Sequence, residues 1–135
     1  MEFLGPERRP VAGPPGIWRH AVESEHKQPI DLVHLGRYTM NDPALGREIL
    51  TLFAGQLPET LRQLREAESP HDWKIAAHTL KGSARAVGAW PLAERAAEAE
   101  AAGPDDGDRC HHLKALAAEA ETTARFVAEV VARPG

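Results

Sequence analysis

The chain has 135 residues, the length of one ordinary domain, and its apolar content is mostly alanine and leucine with few aromatic residues, which favours helices. The formal net charge is −4, from 16 basic and 20 acidic residues, so there is no excess of positive charge to bind a nucleic acid backbone, and we expect no nucleic acid partner. The single cysteine, Cys110, excludes an internal disulfide, and no apolar run is long enough for a secretion signal or a membrane span, so we expect a soluble cytoplasmic protein with no membrane partner.

The beginning of the chain differs in composition from the rest. Seven of the twelve residues from Gly5 to Gly16 are glycine or proline, and they follow neither a helical nor a strand period. We therefore predict a flexible Pro/Gly-rich tail over residues 1–28 and one helical domain over residues 29–135.

The domain begins with a short predicted helix over residues 31–39. Asp31 is an N-capping residue type at its start, and the apolar residues that follow recur at helical spacing. Leu32 and Leu35 are expected to face inward, with Val33 as a further candidate.

A long amphipathic helix is predicted next. Asn41 or Asp42 caps it and Pro43 lies in its first turn. Pro58 removes one backbone donor and is expected to bend the helix without ending it. The residues that follow the three-and-four spacing are Leu45, Ile49, Leu52, Phe53, Gln56, Leu57, Thr60, Leu61 and Leu64.

Three more helices complete the domain. Ser69 caps a helix that runs to Gly88, Pro91 opens one that stops at Gly103, and the last covers about 108–133. With no strand candidate, these elements predict an all-α fold: an antiparallel four-helix bundle with an additional short N-terminal helix. The apolar face of the last helix consists of Leu113, Leu116, Ala117, Ala120, Val127, Val130 and Val131.

The helix before Gly88 has two distinct faces at about 100° per residue. The arc expected to face the core consists of Trp73, Ala76, Leu80, Ser83, Ala84 and Val87. The opposite, solvent-facing arc consists of His71, Lys74, His78, Lys81, Gly82 and Arg85.

The solvent-facing arc has an unusual composition. Gly82 costs about 0.5–1 kcal/mol relative to alanine in mid-helix, so a gap one turn beyond His78 needs a reason, such as room for a visiting macromolecule. The cations Lys74, Lys81 and Arg85 are expected to attract an anion to the imidazole. Taken separately, an exposed histidine and a charged helix face are ordinary surface features, and only their combination with the glycine favours a site.

The segment HTLKGSARAVG resembles the H-x-L-K-G-S-[SA]-x-x-x-G signature of histidine-containing phosphotransfer domains, in which a four-helix bundle relays a phosphoryl group between receiver aspartates. The matching residues are His78, Leu80, Lys81, Gly82, Ser83, Ala84 and Gly88. The resemblance implies that His78 accepts and donates the phosphoryl group, Lys81 holds its oxygens and Gly82 gives the partner access. It also implies a phosphocarrier, not a stand-alone enzyme, with no ATP-dependent kinase activity expected.

The resemblance implies partners of two kinds, the receiver domains of response regulators and the receiver domain of a hybrid histidine kinase. Mg²⁺ is then supplied by the partner, and no cofactor or metal is bound by this chain. The residues expected to contact the partner around His78 are His71, Lys74, Ile75, Arg85 and Ala86.

Other interpretations of the sequence are weaker or remain open. Cys110, His111 and His112 point in different directions on a helix and do not form a tetrahedral zinc site. The glutamates of AERAAEAEAA are expected to form a solvated face. A helical adaptor that binds a receiver or kinase without accepting phosphate remains the alternative, and the sequence does not select between the two imidazole nitrogens of His78.

Overall fold

The structure, a computed structural model, describes residues 28–104 and 107–133. These residues form five α-helices and no strand: α1 (Leu32–Thr39), α2 (Pro43–Glu66), α3 (Pro70–Val87), α4 (Trp90–Ala102) and α5 (Arg109–Ala132). The prediction of an all-α fold is confirmed. Apart from Gln28, the predicted tail lies outside the described residues, and the domain boundary at 29 stays a prediction.

The helix starts are set by short polar side chains that accept hydrogen bonds from free backbone amides. Asp31 accepts from the His34 amide at 3.1 Å, and the Ser69 hydroxyl accepts from the Asp72 amide at 3.0 Å. Of the two candidates for the long helix, Asp42 is the cap, and it accepts from the first-turn amides at 3.0 and 3.4 Å. The helix then continues through Pro58 without a break.

The four long helices contact one another in a ring: α2 with α3, α3 with α4, α4 with α5, and α5 with α2. Trp73, near the start of α3, donates its indole N–H to the Ala99 carbonyl near the end of α4 at 2.7 Å. Arg109, at the start of α5, donates to the Leu64 and Arg65 carbonyls at the end of α2. Both pairs of helices therefore run in opposite directions.

The core inside this ring is aliphatic apart from Trp73, Phe53 and a buried threonine, Thr123. Its other large buried side chains are Leu50, Leu57, Leu64, Leu80, Leu92, Leu116 and Val127. Arg109 closes one end of the core: its guanidinium lies 5.1 Å above the Trp73 ring while it donates to the α2 carbonyls.

Some residues predicted to face inward are exposed. Val33 is 54% exposed and Leu52 is 60% exposed, and Leu45, Ala117 and Val131 are also on the surface, so these assignments are wrong. In α2 the buried residues are Gly46, Leu50, Phe53, Leu57 and Leu64. The three-and-four spacing in α2 fits two neighbouring apolar faces of the helix, shifted from each other by one residue. The packing of α3 and α5 against α2 decides which of these two faces is buried.

The start of α1 is fixed to the connection between α3 and α4. The Asp31 amide donates to the Gly88 carbonyl at 2.8 Å, and its carboxylate accepts from the Trp90 indole at 2.9 Å. Burial acts to raise the pKa of the Asp31 carboxyl, but the hydrogen bonds from Trp90 and the His34 amide outweigh it and leave that pKa below its usual value. The carboxylate is therefore charged at neutral pH.

Gly88 is required at this connection for two reasons. Its φ of 83° lies in the left-handed region, where it caps α3 by donating to the Ala84 and Arg85 carbonyls. A Cβ at this position would lie 2.9 Å from the Asp31 carbonyl oxygen. Gly88, the final glycine of the sequence motif, is therefore needed for folding.

Gly88→Ala is expected to lower the free energy of unfolding by about 2 kcal/mol or more, because the new Cβ meets both a left-handed backbone and the Asp31 carbonyl. Gly55→Ala is the matched control, since Gly55 lies inside α2 with open space at its Cβ. That control should gain about 0.5–1 kcal/mol. Urea unfolding measures both, and equal shifts in the two variants would contradict the argument.

Candidate functional site

Helix α3 buries one face and exposes the other. Its buried residues are Trp73, Ala76, Ala77, Leu80, Ala84 and Val87. On the other face the His78 side chain is 68% exposed, midway along the helix. Buried residues both before and after His78 in the sequence hold α3 against the core. The imidazole is therefore attached to a rigid helix and faces solvent.

A carboxylate from α4 contacts both His78 and Lys81. Glu100 Oε2 lies 3.1 Å from His78 Nδ1, and Glu100 Oε1 lies 2.7 Å from Lys81 Nζ. Oε1 accepts no directed hydrogen bond within the residues that the structure describes, so the Lys81 contact is an ion pair. We call these three side chains, His78, Lys81 and Glu100, the bridged triad.

The predicted solvated face of α4 is wrong at Glu100. Glu94 and Glu98 are exposed, whereas the Glu100 side chain is only 18% exposed and is held by α3. A signal for this pairing is present in the sequence: His78 and Glu100 each lie eleven residues from Ala89, in the connection between two antiparallel helices. Residues equally distant from such a connection lie side by side.

Glu100 is a charged acceptor. The contact with the Lys81 ammonium, aided by the hydrogen bond with His78, holds the pKa of the Glu100 carboxyl below its usual value, although desolvation opposes this. An ionised carboxylate only accepts hydrogen bonds, so the hydrogen shared with His78 is carried by Nδ1. In the neutral ring the lone pair is then on Nε2.

The charge around His78 differs from the expectation in one respect. Lys81 was expected to face solvent as a free cation, but its side chain is only 19% exposed and is paired with Glu100. Lys74 and Arg85 are exposed, and neither has an ion-pair partner among residues 28–104 and 107–133. In the unbound chain, the unpaired positive charge on this face of α3 therefore comes from these two residues at its margins.

Gly82 leaves a real gap in the surface. It is exposed, and a Cβ built at this position meets nothing within 4 Å. Packing against a neighbouring helix therefore does not explain the glycine. Its role in access by a partner stays a prediction, since nothing in the unbound chain tests it.

The five residues predicted to contact a partner all lie on exposed positions of α3: His71, Lys74, Ile75, Arg85 and Ala86. The side chain with the largest apolar surface among them is Ile75, which is 52% exposed. The structure places them around His78, and their role in binding stays a prediction.

The described part of the chain contains no group of three or more histidine, cysteine or acidic side chains arranged to hold a metal ion. Nor does any of its helices combine the length and the apolar character needed to cross a membrane.

The family model described as Hpt domain matches residues 48–123, more than half of the chain. This chain belongs to the Hpt domain family. The match includes all of α3 and α4, and therefore the bridged triad, and it confirms the resemblance seen in the motif. No curated protein and no solved structure matches the chain. At the level of the family, an Hpt domain performs histidine phosphotransfer in two-component signalling, together with receiver domains and kinases.

Glu100→Ala is expected to remove the preference of His78 for a hydrogen on Nδ1, because the acceptor that fixes the tautomer is lost. The ¹⁵N chemical shifts of the His78 ring, recorded at a pH at which the ring is neutral, report which nitrogen carries the hydrogen. The chain has seven histidines, so His78→Gln identifies the signals of this ring.

Glu100→Gln is the matched control for that measurement. Its amide oxygen can still accept from Nδ1, so the native tautomer should be retained. An unchanged tautomer in Glu100→Ala would show that another group fixes the ring.

Proposed function

We propose that this Hpt domain relays a phosphoryl group between receiver-domain aspartates through His78, as a cytoplasmic step of a multistep phosphorelay. The observation that carries the proposal is the exposed imidazole whose Nδ1 is engaged by Glu100. We further propose that the ring of helices α2–α5 is an antiparallel four-helix bundle with α1 added to it. The helix contacts and opposite directions described above support this arrangement.

In this mechanism the Nε2 lone pair attacks the phosphorus of a receiver's aspartyl phosphate. The N–P bond forms as the bond from phosphorus to the acyl oxygen breaks, and the electron pair leaves with the aspartate carboxylate. The ring gains positive charge, which the Glu100 carboxylate at Nδ1 stabilises. In the onward step the second receiver's aspartate attacks phosphorus, and the bonding pair returns to Nε2.

Lys81 serves the same transfer through its charge. In the unphosphorylated chain its ammonium is paired with Glu100 beside the imidazole. When negative charge arrives on Nε2, the phosphoryl oxygens compete with Glu100 for the ammonium, and Lys81 stabilises them as they transfer. The Lys81 ammonium therefore already lies next to the imidazole before the phosphoryl group arrives.

The division of labour between the partners follows from what each side brings. The receiver supplies the acyl phosphate, its carboxylates and Mg²⁺, which neutralises charge on the transferring group. This chain supplies a nucleophile of fixed tautomer, the Lys81 ammonium beside it, and the positive charges of Lys74 and Arg85 at the margins. It is therefore a phosphocarrier that acts with response regulators and with the receiver domain of a hybrid histidine kinase.

The alternative, a helical adaptor that binds a receiver or kinase without accepting phosphate, is less well supported. Docking alone gives no reason for a carboxylate that orients an exposed imidazole, since neither group needs the other for the fold. The bridged triad instead has the features of an activated nucleophile.

His78→Gln tests the relay directly. The native chain should acquire acid-labile phosphate when mixed with a phosphorylated receiver, and the variant should acquire none while still binding that receiver. Radiolabel transfer and a binding titration measure the two properties. Equal labelling of both proteins would place the phosphate elsewhere, and binding by both without label would favour the adaptor.

Gly82→Leu tests access to the imidazole. The open space around Gly82 allows the substitution without loss of stability, but the new side chain should obstruct the receiver and slow transfer by about tenfold or more. Gly55→Leu is the matched control, a glycine on an exposed position of α2 with equally open space. Equal transfer rates in the two variants would contradict a role for Gly82 in access.

A further inference from the structure

A concave site lies beside the bridged triad, where α3 and α4 meet. Its volume is about 440 Å³, and its lining residues are Arg85, Trp90, Pro91, Ala93, Glu94 and Ala97. We call it the Trp90 pocket. Arg85 follows His78 by two helical turns, about 10 Å along α3, and Ala97 precedes Glu100 by about one turn of α4. The pocket therefore lies within about two helical turns of His78 and about one turn of Glu100.

The aromatic wall of this pocket is held in place from behind. The Trp90 indole is only partly exposed, and its N–H donates to Asp31 at 2.9 Å. The His34 ring meets it edge to face at a centroid distance of 4.9 Å, and the Tyr38 ring lies 5.0 Å from that of His34. A wall fixed in this way loses little conformational entropy when a partner binds.

The pocket also carries charge of both signs. The exposed Arg85 side chain has no ion-pair partner within the described ranges, and Glu94 lines the same pocket without pairing with it. Most of the remaining lining is apolar, from Pro91, Ala93 and Ala97. This combination suits an apolar side chain with a carboxylate next to it, and is less suited to a purely acidic segment.

A second concavity on the other side of α3 is a poorer candidate. It is lined by Arg62, Glu66 and Asp72 among others. Arg62 is already paired with Glu66 at 2.6 Å and also with Glu59. The Arg62 and Glu66 charges are therefore satisfied within the chain, and the concavity offers little apolar surface apart from Ile75 and two alanines.

We propose that the Trp90 pocket is the anchor site for the receiver, and that it takes a large apolar side chain of the receiver while a neighbouring receiver carboxylate pairs with Arg85. This inference rests on the proposed function. Tryptophan and arginine are the residue types that dominate binding energy at interfaces, most of all in preformed pockets. Receivers that lack the apolar side chain or the carboxylate bind this chain more weakly, so the pocket contributes to the choice of partner.

Ala97→Leu tests the pocket by filling it. Leucine favours the helix, and Ala97 is partly exposed toward the pocket, so the fold is retained and the anchor is excluded. Ala118→Leu, at an exposed position of α5 outside the pocket, is the matched control. Circular dichroism and thermal midpoints check the fold of both variants.

The measurement is the rate of His78 phosphorylation by two donors. The host's purified receiver domains are first phosphorylated and tested as a panel, and a receiver that labels the native chain is taken as the first donor. The other is phosphoramidate, a small donor that needs no docking. The ratio of the receiver-driven to the phosphoramidate-driven rate should fall about tenfold or more in Ala97→Leu and stay at the native value in Ala118→Leu.

The possible results separate this inference from the proposed function. An unchanged ratio in Ala97→Leu, with the native chain labelled, overturns the pocket as anchor and leaves the relay intact. Failure of every receiver in the panel to label the native chain overturns the relay and this inference together. Arg85→Glu should also lower the ratio, with most of the loss recovered in Arg85→Lys, and equal ratios in both variants would contradict the carboxylate pairing.

Discussion

The contact that the functional surface depends on is the one between the Glu100 carboxylate and the imidazole of His78. It joins two helices that are also held together by apolar packing and by the bond from Trp73 to Ala99, and it selects the ring nitrogen that remains available for chemistry. The same carboxylate holds the Lys81 ammonium beside the ring. One acidic side chain therefore sets the tautomer, the orientation and the local charge of the site.

The sequence motif combines residues of two kinds that the structure separates. Leu80 and Ala84 are buried, and Gly88 ends α3 where Asp31, the cap of α1, contacts it, so these three serve the fold. His78 and Gly82 are exposed, and in the proposed relay they are the residues that meet the receiver. A motif at helical spacing can carry both because the two faces of α3 alternate along the chain.

What could be predicted from the sequence follows from the range of the interactions involved. Helix starts at Asp31, Asp42 and Ser69 depend on side chains within three residues, and these predictions are confirmed. The burial of individual residues in α2 depends on where its neighbours pack, and Leu45 and Leu52 were therefore misplaced. Glu100 was missed for the same reason, since its partners are about twenty residues away in the chain.

The attachment of α1 at Gly88 has a mechanical consequence for the distant triad. His78 and Glu100 lie eleven residues from the connection at Ala89, about 16 Å along each helix axis. At that radius, a 10° change in the angle between α3 and α4 would separate their side chains by about 3 Å, which is more than a hydrogen bond tolerates. The bonds from Asp31 to Gly88 and Trp90 fix the connection, and the bond from Trp73 to Ala99 ties the two helices together beside Glu100, so both ends oppose such a change of angle.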